Sequence, residues 1–340
     1  MATLKSDKVV LNAVAGSGKT SFIIDQLDIE KKSLILTYTI NNQNNLKEKI
    51  IKEFGYMPEN VYVYGYFHFL LNFIIKPLCL EPITNILYKT PHYSYTSPFT
   101  RDKKFVYSNR IAKYILESLP EFKPRMEKYF DNVFIDEIQD LASDDFNWMK
   151  SLGEISIPVI LVGDFNQHTY DSSRRGNNLK NLFSDKNFYR KKLEEAGFFF
   201  DEETLLKSYR CSKEVCEFVK KNLEINIESY HEHTSTIEFI EDPLEIERIF
   251  NDNSITKLFY EKATDYRCNS SNWGDSKGVS YSNVCIILNN TTFNAFNKND
   301  LKNLKPLTLG KFYVACTRTE NNLWFIQQKD IPQKMKLISK

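Results

Sequence analysis

Short apolar runs recur along the chain, each bounded by turn residues and followed by helix-like or loop material. The first set is Val9–Ala13, Ser33–Thr39, Val61–Tyr64, Asn132–Ile135 and Pro158–Gly163. After about residue 200 comes a second set: Glu203–Lys207, Ile237–Ile240, Val284–Leu288 and Leu323–Gln327. β-Branched runs of this length, alternating with helical stretches, predict parallel sheets with helices on both faces. Leu71–Phe130 interrupts the first set. Its prolines (Pro77, Pro82, Pro91, Pro98) and a helix-like stretch from about Lys103 to Leu119 mark it as an insertion. Tyr266–Ser276 is polar and reads as an exposed loop. The expected architecture is α/β, with one domain over 1–200, an inserted subdomain at about 71–130, and a second domain over 201–340.

Composition agrees with two packed domains. The chain has 340 residues, 42% hydrophobic and 14% aromatic, which excludes bulk disorder. Its formal net charge of +1 gives no electrostatic footprint, so any nucleic-acid reading must rest on local patches. Apolar runs fall well short of the roughly 20 residues a membrane span needs. Lys5, Asp7 and Lys8 argue against a signal peptide. Six cysteines without a CxxC pair read as free thiols in a reducing compartment, so a cytoplasmic location is expected. His231 and His233 have no cysteine at zinc-ligand spacing.

The strongest chemical signal is Val9-Val10-Leu11-Asn12-Ala13-Val14-Ala15-Gly16-Ser17-Gly18-Lys19-Thr20, an apolar strand, a Gly-rich turn and a helical stretch over Ser21–Leu27. That is the context of a phosphate-binding loop. Gly16 and Gly18 let the backbone turn tightly and aim N–H groups at phosphate oxygens. Ala15, Ser17 and Ser21 complete the cradle. Lys19 reaches the β- and γ-phosphates, and Thr20 offers its hydroxyl to Mg²⁺. Next, Asn132-Val133-Phe134-Ile135-Asp136-Glu137-Ile138-Gln139-Asp140 ends a strand in two carboxylates. Asp136 suits Mg²⁺, and Glu137 suits orienting and deprotonating the attacking water. A third run, Val159–Gly163, leads into Asp164-Phe165-Asn166-Gln167, where Gln167 can bond both the γ-phosphate and the water.

These three segments resemble the superfamily 1A DNA helicases of the UvrD/Rep/PcrA type. The match continues through Leu206-Lys207-Ser208-Tyr209-Arg210-Cys211-Ser212, Asp275-Ser276-Lys277-Gly278-Val279-Ser280-Tyr281 and Tyr313-Val314-Ala315-Cys316-Thr317-Arg318, in the family's order. The resemblance implies two RecA-like domains with ATP in the cleft between them. It implies that Arg210 and Arg318 stabilise the transferring γ-phosphate and that Tyr209 stacks on the adenine. Lys277 and Gly278 lie near phosphates or ribose. Activity is then expected to be that of an ATP-dependent single-stranded DNA translocase or helicase, moving 3′ to 5′, with movement along a single strand better supported by the residues than unwinding; RNA is an alternative substrate.

On the same resemblance, Thr37–Asn42 corresponds to a DNA-facing motif, with Tyr38, Thr39 and Asn41 as candidate contacts. Tyr66-Phe67-His68-Phe69 corresponds to another, offering Phe67 and His68, although His68 fits a core or backbone-bonding role equally well. Thr169–Gly176 lacks the family's base-stacking tryptophan, leaving Tyr170 and Arg174 as candidates. The basic turn Arg101–Lys104 among Tyr93, Tyr95, Phe99, Phe105 and Tyr107 suits either a single-strand path or a solvated surface over buried aromatics.

Other departures are that no glutamine matches the family's adenine reader, Ser280 replaces a ribose-binding glutamate, and Gly274 replaces a histidine. Only about 60 residues separate the fourth and fifth motifs, too few for the family's large accessory subdomain. A second reading follows from that compactness: an ATP-gated subunit of a nuclease-containing complex, for example in anti-phage defence.

Overall fold

The computed structural model describes residues 4–92, 94–169, 179 and 181–337. The chain forms two compact units. The first takes the chain up to Asn12, Lys19–Phe165 and the segment ending at Thr204; the second takes Ala13–Gly18, Asn166–Thr169 and the chain from Leu205 on.

The strands of the first unit are β1 (Lys8–Asn12), β2 (Ser33–Thr37), β3 (Val61–Gly65), β4 (Asn85–Leu87), β5 (Phe105–Tyr107), β6 (Asn132–Asp136), β7 (Val159–Gly163) and β8 (Phe199–Asp201). Six of them form one sheet in the order β3-β2-β6-β7-β1-β8, and every pairing is parallel. Parallel neighbours require crossovers, and crossovers are right-handed. From β1 the chain moves one way to β2 and β3, then the other way to β6, β7 and β8. Helices therefore cover both faces, which is why β2, β6 and β7 are buried at every position and read as unbroken apolar runs.

Helix α1 (Lys19–Asp25) follows β1, and α2 (Ile40–Phe54) follows β2. The insertion holds α3 (Tyr66–Phe69), a π-helical turn (Leu70–Ile75), α4 (Lys76–Leu78), the β4–β5 pair, α5 (Ser108–Ser118) and α6 (Phe122–Tyr129). It is not an appendage. Phe69, Ile74, Ile111, Ile115, Phe122 and Met126 share one core with Trp148 of α7 (Ser143–Ser151). Helix α8 (Lys186–Glu194) then leads into β8.

The second unit opens with a two-stranded parallel ribbon, β9 (Lys207–Ser208) and β10 (Glu228–Ser229). Its main sheet has β11 (Ile237–Phe239), β12 (Ile255–Phe259), β13 (Ser270–Asn272), β14 (Asn283–Leu288) and β15 (Leu323–Gln327). Their order is β11-β15-β14-β12-β13, again all parallel. Its helices are α9 (Lys213–Leu223), α10 (Pro243–Asn251), α11 (Asn290–Asn297) and α12 (Pro306–Cys316). The α/β class expected from the sequence is the one observed. No described helix is long and apolar enough to cross a membrane.

Four local expectations are corrected. The strand expected over Glu203–Lys207 begins only at Lys207, in β9, because the Asp201 carboxylate accepts from the Glu203 and Thr204 amides at 2.9 and 2.8 Å and turns the chain. The second strand stops at Thr37, because Thr39 caps α2 by accepting from the Asn42 amide at 3.2 Å. The helix expected from about Lys103 begins at Ser108; Lys103 is left-handed (φ 55°) in a turn held by Thr100 and Asp102. Tyr266–Ser276 is not an exposed loop: it contains β13, and Trp273 is fully buried.

Candidate active site

In the first unit β6, β7 and β1 are neighbours, with Asp136 opposite Val162 and Asn12 opposite Gly163. Parallel strands lie about 4.8 Å apart, so the chain exits after Asn12, Asp136 and Gly163 fall within about 10 Å on one edge of the sheet. Crossovers leave β1 and β7 in opposite directions, which makes this crevice a topological switch point, where open α/β sheets bind ligands. The phosphate loop, the carboxylate pair and the Gln167 turn all begin here.

Asp136 ends β6 and is 6% exposed; its Oδ1 accepts the Glu137 amide at 2.9 Å. Glu137 then adopts a left-handed conformation (φ 57°, ψ 44°), unusual for a residue with a side chain. Gln139 follows in a short 3-10 turn and is completely buried. Its Nε2 donates to Glu137 Oε2, and its Oε1 accepts the Asp164 amide at 3.1 Å. Gly163 is required by crowding: a Cβ there would collide with Gln139 Oε1 and lie 2.6 Å from Ile138 Cγ1. Asn12 Oδ1 accepts the Phe165 amide at 3.3 Å, tying the end of β1 to the same turn. Helix α1, which opens with Lys19 and Thr20, contacts β6, whose last residue is Asp136. Thr20 and Asp136 offer hydroxyl and carboxylate oxygens, the hard donors Mg²⁺ prefers.

The phosphate loop proper, Ala13–Gly18, packs within the second unit. The Val14 amide donates to Leu205 O at 3.0 Å, and Gly16 O accepts the Tyr209 amide at 2.8 Å. The Ala15 amide donates to the Tyr313 hydroxyl at 2.9 Å, with both residues fully buried. Gly16 (φ 73°) and Gly18 (φ 79°) take the positive-φ backbone that lets successive amides converge on an anion. Gly16 also has no room for a Cβ, which would sit 2.7 Å from Ser208 Oγ and 2.8 Å from Arg210 Cβ. Ser17 Oγ is buried with no hydrogen-bond partner. An orphaned hydroxyl beside two positive-φ glycines fits a phosphate oxygen as its absent acceptor. Ser21 is exposed one residue beyond Thr20.

Arg210 donates to Thr317 O at 3.1 Å. Arg318 is 1% exposed and donates to Val314 O at 3.0 Å and Val279 O at 3.4 Å. The fourth, fifth and last motifs therefore meet through main-chain carbonyls. Lys277 is half-buried, and Gly278 (φ 85°) is exposed beside it. Tyr209 is 54% exposed, so it belongs to the surface and not to the core. Its ring lies 4.4 Å from that of Tyr230. Gln167 is 3% exposed in the turn Asn166–Thr169, which abuts α12; a Cβ on Gly310 would sit 2.6 Å from His168 O.

The nucleic-acid candidates separate. Thr39 caps α2 and Phe67 is 9% exposed within the core, so both have structural work. Tyr38 is half-buried, its ring 5.7 Å from that of Phe67. Asn41 and His68 are exposed, which removes the core reading of His68. Tyr170 and Arg174 lie outside the described residues, as does Tyr93. The Arg101–Lys104 turn is exposed; Lys103 pairs with Glu81 at 2.7 Å, and Arg110 lies over the rings of Tyr95 and Tyr107. No cluster of three or more metal-ligating side chains occurs among the described residues.

Sequence reasoning missed Gln139, Tyr313, Gly310 and Tyr230. Gln139 and Tyr313 lie inside recognised motifs, so their positions were flagged while their partners were not. Gly310, a helix-interior glycine, was the one readable signal of a close backbone approach.

Residues 83–190 match the family model of the UvrD/REP helicase N-terminal domain. No curated protein matches the sequence. Among solved structures, the chain is similar to the PRRSV helicase (13% identity, TM-score 0.49), covering 97% of this chain and 54% of that one. It is likewise similar to the arterivirus nonstructural protein 10 helicase in complex with DNA (16% identity, TM-score 0.49), covering 94% and 60%. The chain thus spans little more than half the length of these helicases. Residues 83–190, the segment that carries the carboxylate pair, thus match a UvrD/REP-type helicase N-terminal domain, and the six ordered motifs resemble those of superfamily 1 helicases.

Proposed function

We propose that the chain is an ATP-driven translocase or helicase acting on single-stranded nucleic acid. The observation that carries this reading is the convergence of three motif-bearing exits at the neighbouring ends of β1, β7 and β6. In this reading Lys19 and the loop amides hold the triphosphate. Glu137 orients the attacking water and takes its proton. Gln167 bonds the γ-phosphate, while Arg210 and Arg318 meet the charge that gathers there, an effect worth about 10³–10⁵ in rate for inserted arginines. Thr20 and Asp136 would hold Mg²⁺, which supplies charge neutralisation on the phosphates. Tyr209, on the surface beside Gly18, stacks on the base.

Tyr38, Asn41 and His68 form the single-strand contact surface in this proposal. Base stacking on an aromatic contributes about 1–3 kcal/mol and tolerates any sequence. DNA is the expected substrate and 3′ to 5′ the expected direction; both rest on the family resemblance. The test is the ATPase rate with and without single-stranded DNA, with RNA as comparison. Stimulation by DNA supports the proposal. An ATPase indifferent to either polymer defeats it and favours the second reading, an ATP-gated subunit of a nuclease complex.

A further inference from the structure

Gln139 lies within the carboxylate motif, yet the chemistry just proposed gives it no task. Its surroundings do. The side chain is fully buried, where an amide must find partners for both ends or incur a penalty of about 1–3 kcal/mol. One end donates to Glu137 Oε2; the other accepts the Asp164 amide at 3.1 Å. Glu137 leaves β6 in a left-handed conformation, and Asp164 follows the last residue of β7. Gln139 therefore spans two neighbouring strand ends. The packing is specific to it, since Gly163 must lack a side chain to admit Gln139 Oε1. Three residues after Asp164 comes Gln167.

We infer that Gln139 is a positioning residue for hydrolysis: it fixes the orientation of the Glu137 carboxylate and ties it to the turn that carries Gln167. A carboxylate serves as a base only when an oxygen lies within hydrogen-bond reach of the water it deprotonates. A side chain held at one oxygen by a buried amide has lost most of its rotational freedom before substrate arrives. Because the same amide grips Asp164, a displacement of the γ-phosphate-sensing turn is carried to the base. The inference rests on the reading of Glu137 as the base.

The test uses the full chain and three variants. Gln139→Glu keeps the size and the acceptor for Asp164 but loses the donor to Glu137. Gln139→Met removes both ends with little change in volume and serves if a buried carboxylate unfolds the first variant. Glu137→Gln tests the parent reading. Steady-state ATPase with saturating single-stranded DNA gives kcat and KM, and melting curves report folding. The expected result is a kcat lower by about tenfold or more with KM for ATP within about twofold, the signature of an interaction used only in the transition state. Combined with Glu137→Gln, either change should cost nothing further, because both act through one carboxylate. Folded Gln139 variants with normal kcat, with kcat and KM failing together, or with losses that multiply onto Glu137→Gln, overturn the inference. Normal hydrolysis by Glu137→Gln instead overturns the reading of Glu137 and leaves that distinction plain.

Discussion

Tyr313→Phe removes one oxygen and leaves the ring in place. The hydroxyl it removes accepts the Ala15 amide at 2.9 Å across 298 residues of sequence, and both residues are fully buried. Water cannot replace the lost partner without opening the packing around α12, where Phe312, Tyr313, Val314 and Ala315 are all buried. A buried amide stranded in this way costs about 1–3 kcal/mol. For a cooperative unit of 150–250 residues each kcal/mol is worth roughly 2–4 °C, so melting should fall by roughly 2–12 °C. Melting followed by far-UV circular dichroism measures it. The functional consequence follows from position. Ala15 is the residue before Gly16, so a looser Ala15 blurs the amides meant to converge on phosphate. KM for ATP should rise severalfold and kcat should change less, because the loss lies in ground-state binding. A variant that melts within about 1 °C of the parent and keeps its KM would falsify the assignment of this bond to the phosphate loop.

The remaining predictions are simpler. Lys19→Ala should abolish hydrolysis, while Glu137→Gln should bind ATP and turn it over only at a small residual rate; filter binding and phosphate release separate the two. Gly310→Ala sets two terms against each other: helix propensity favours alanine by about 1 kcal/mol, and overpacking against His168 O at 2.6 Å and Asn166 O at 3.1 Å costs about 1–3 kcal/mol. Net destabilisation is expected, and a higher melting temperature would show that the contact yields. Lys257 is fully buried on β12 and donates to Asp252 O at 2.6 Å and Ile255 O at 2.9 Å; burial holds its pKa below 10.5. The folded chain then binds that proton less readily than the unfolded chain, so stability gains as pH rises from the lowered value toward 10.5. Cys268 and Cys285 also face this site, and burial raises both thiols, so the comparison must be a difference. The melting temperature of wild type relative to Lys257→Met should shift in the wild type's favour as pH rises, and a pH-independent difference would count against it.

How much could be read in advance depended on where the information lay. Strands buried on both faces announced themselves, because every position of Asn132–Asp136 or Val159–Gly163 had to exclude charge or pair it. The phosphate loop was legible because its glycines serve backbone geometry. β12 was not legible, because Lys257 interrupts its apolar run, and its ammonium is satisfied by main-chain carbonyls of Asp252 and Ile255 that no side-chain pattern reveals. β13 was hidden by polar residues with structural duties: Ser270 donates to Ala263 O at 3.1 Å, and Asn272 accepts the Ala263 amide at 2.9 Å. The nucleic-acid residues were flagged as a group, and only burial could sort capping Thr39 and core Phe67 from exposed Asn41 and His68.

The segment from Asp164 to Thr169 is held near both of its ends. At its start the Asp164 amide is held by Gln139, the residue that also holds Glu137. Further on, the carbonyls of Asn166 and His168 lie against Gly310, on the helix that ends one residue before Thr317. The Thr317 carbonyl in turn accepts from Arg210, and Arg318 is its neighbour in sequence. Gln167 lies between these two anchors and is itself buried. Both anchors depend on a missing Cβ, at Gly163 and at Gly310, and neither glycine has a positive φ. Their requirement is therefore contact distance. Packing without slack transmits a small displacement, because close-packed interiors are stiff. A methyl group at either glycine should thus disturb hydrolysis from opposite ends of the same turn. Gly163→Ala would act first on Glu137 through Gln139, and Gly310→Ala first on Gln167. If both lower kcat while leaving ATP affinity intact, the turn is the shared element; if only Gly163→Ala does so, Gln139 acts on the base alone.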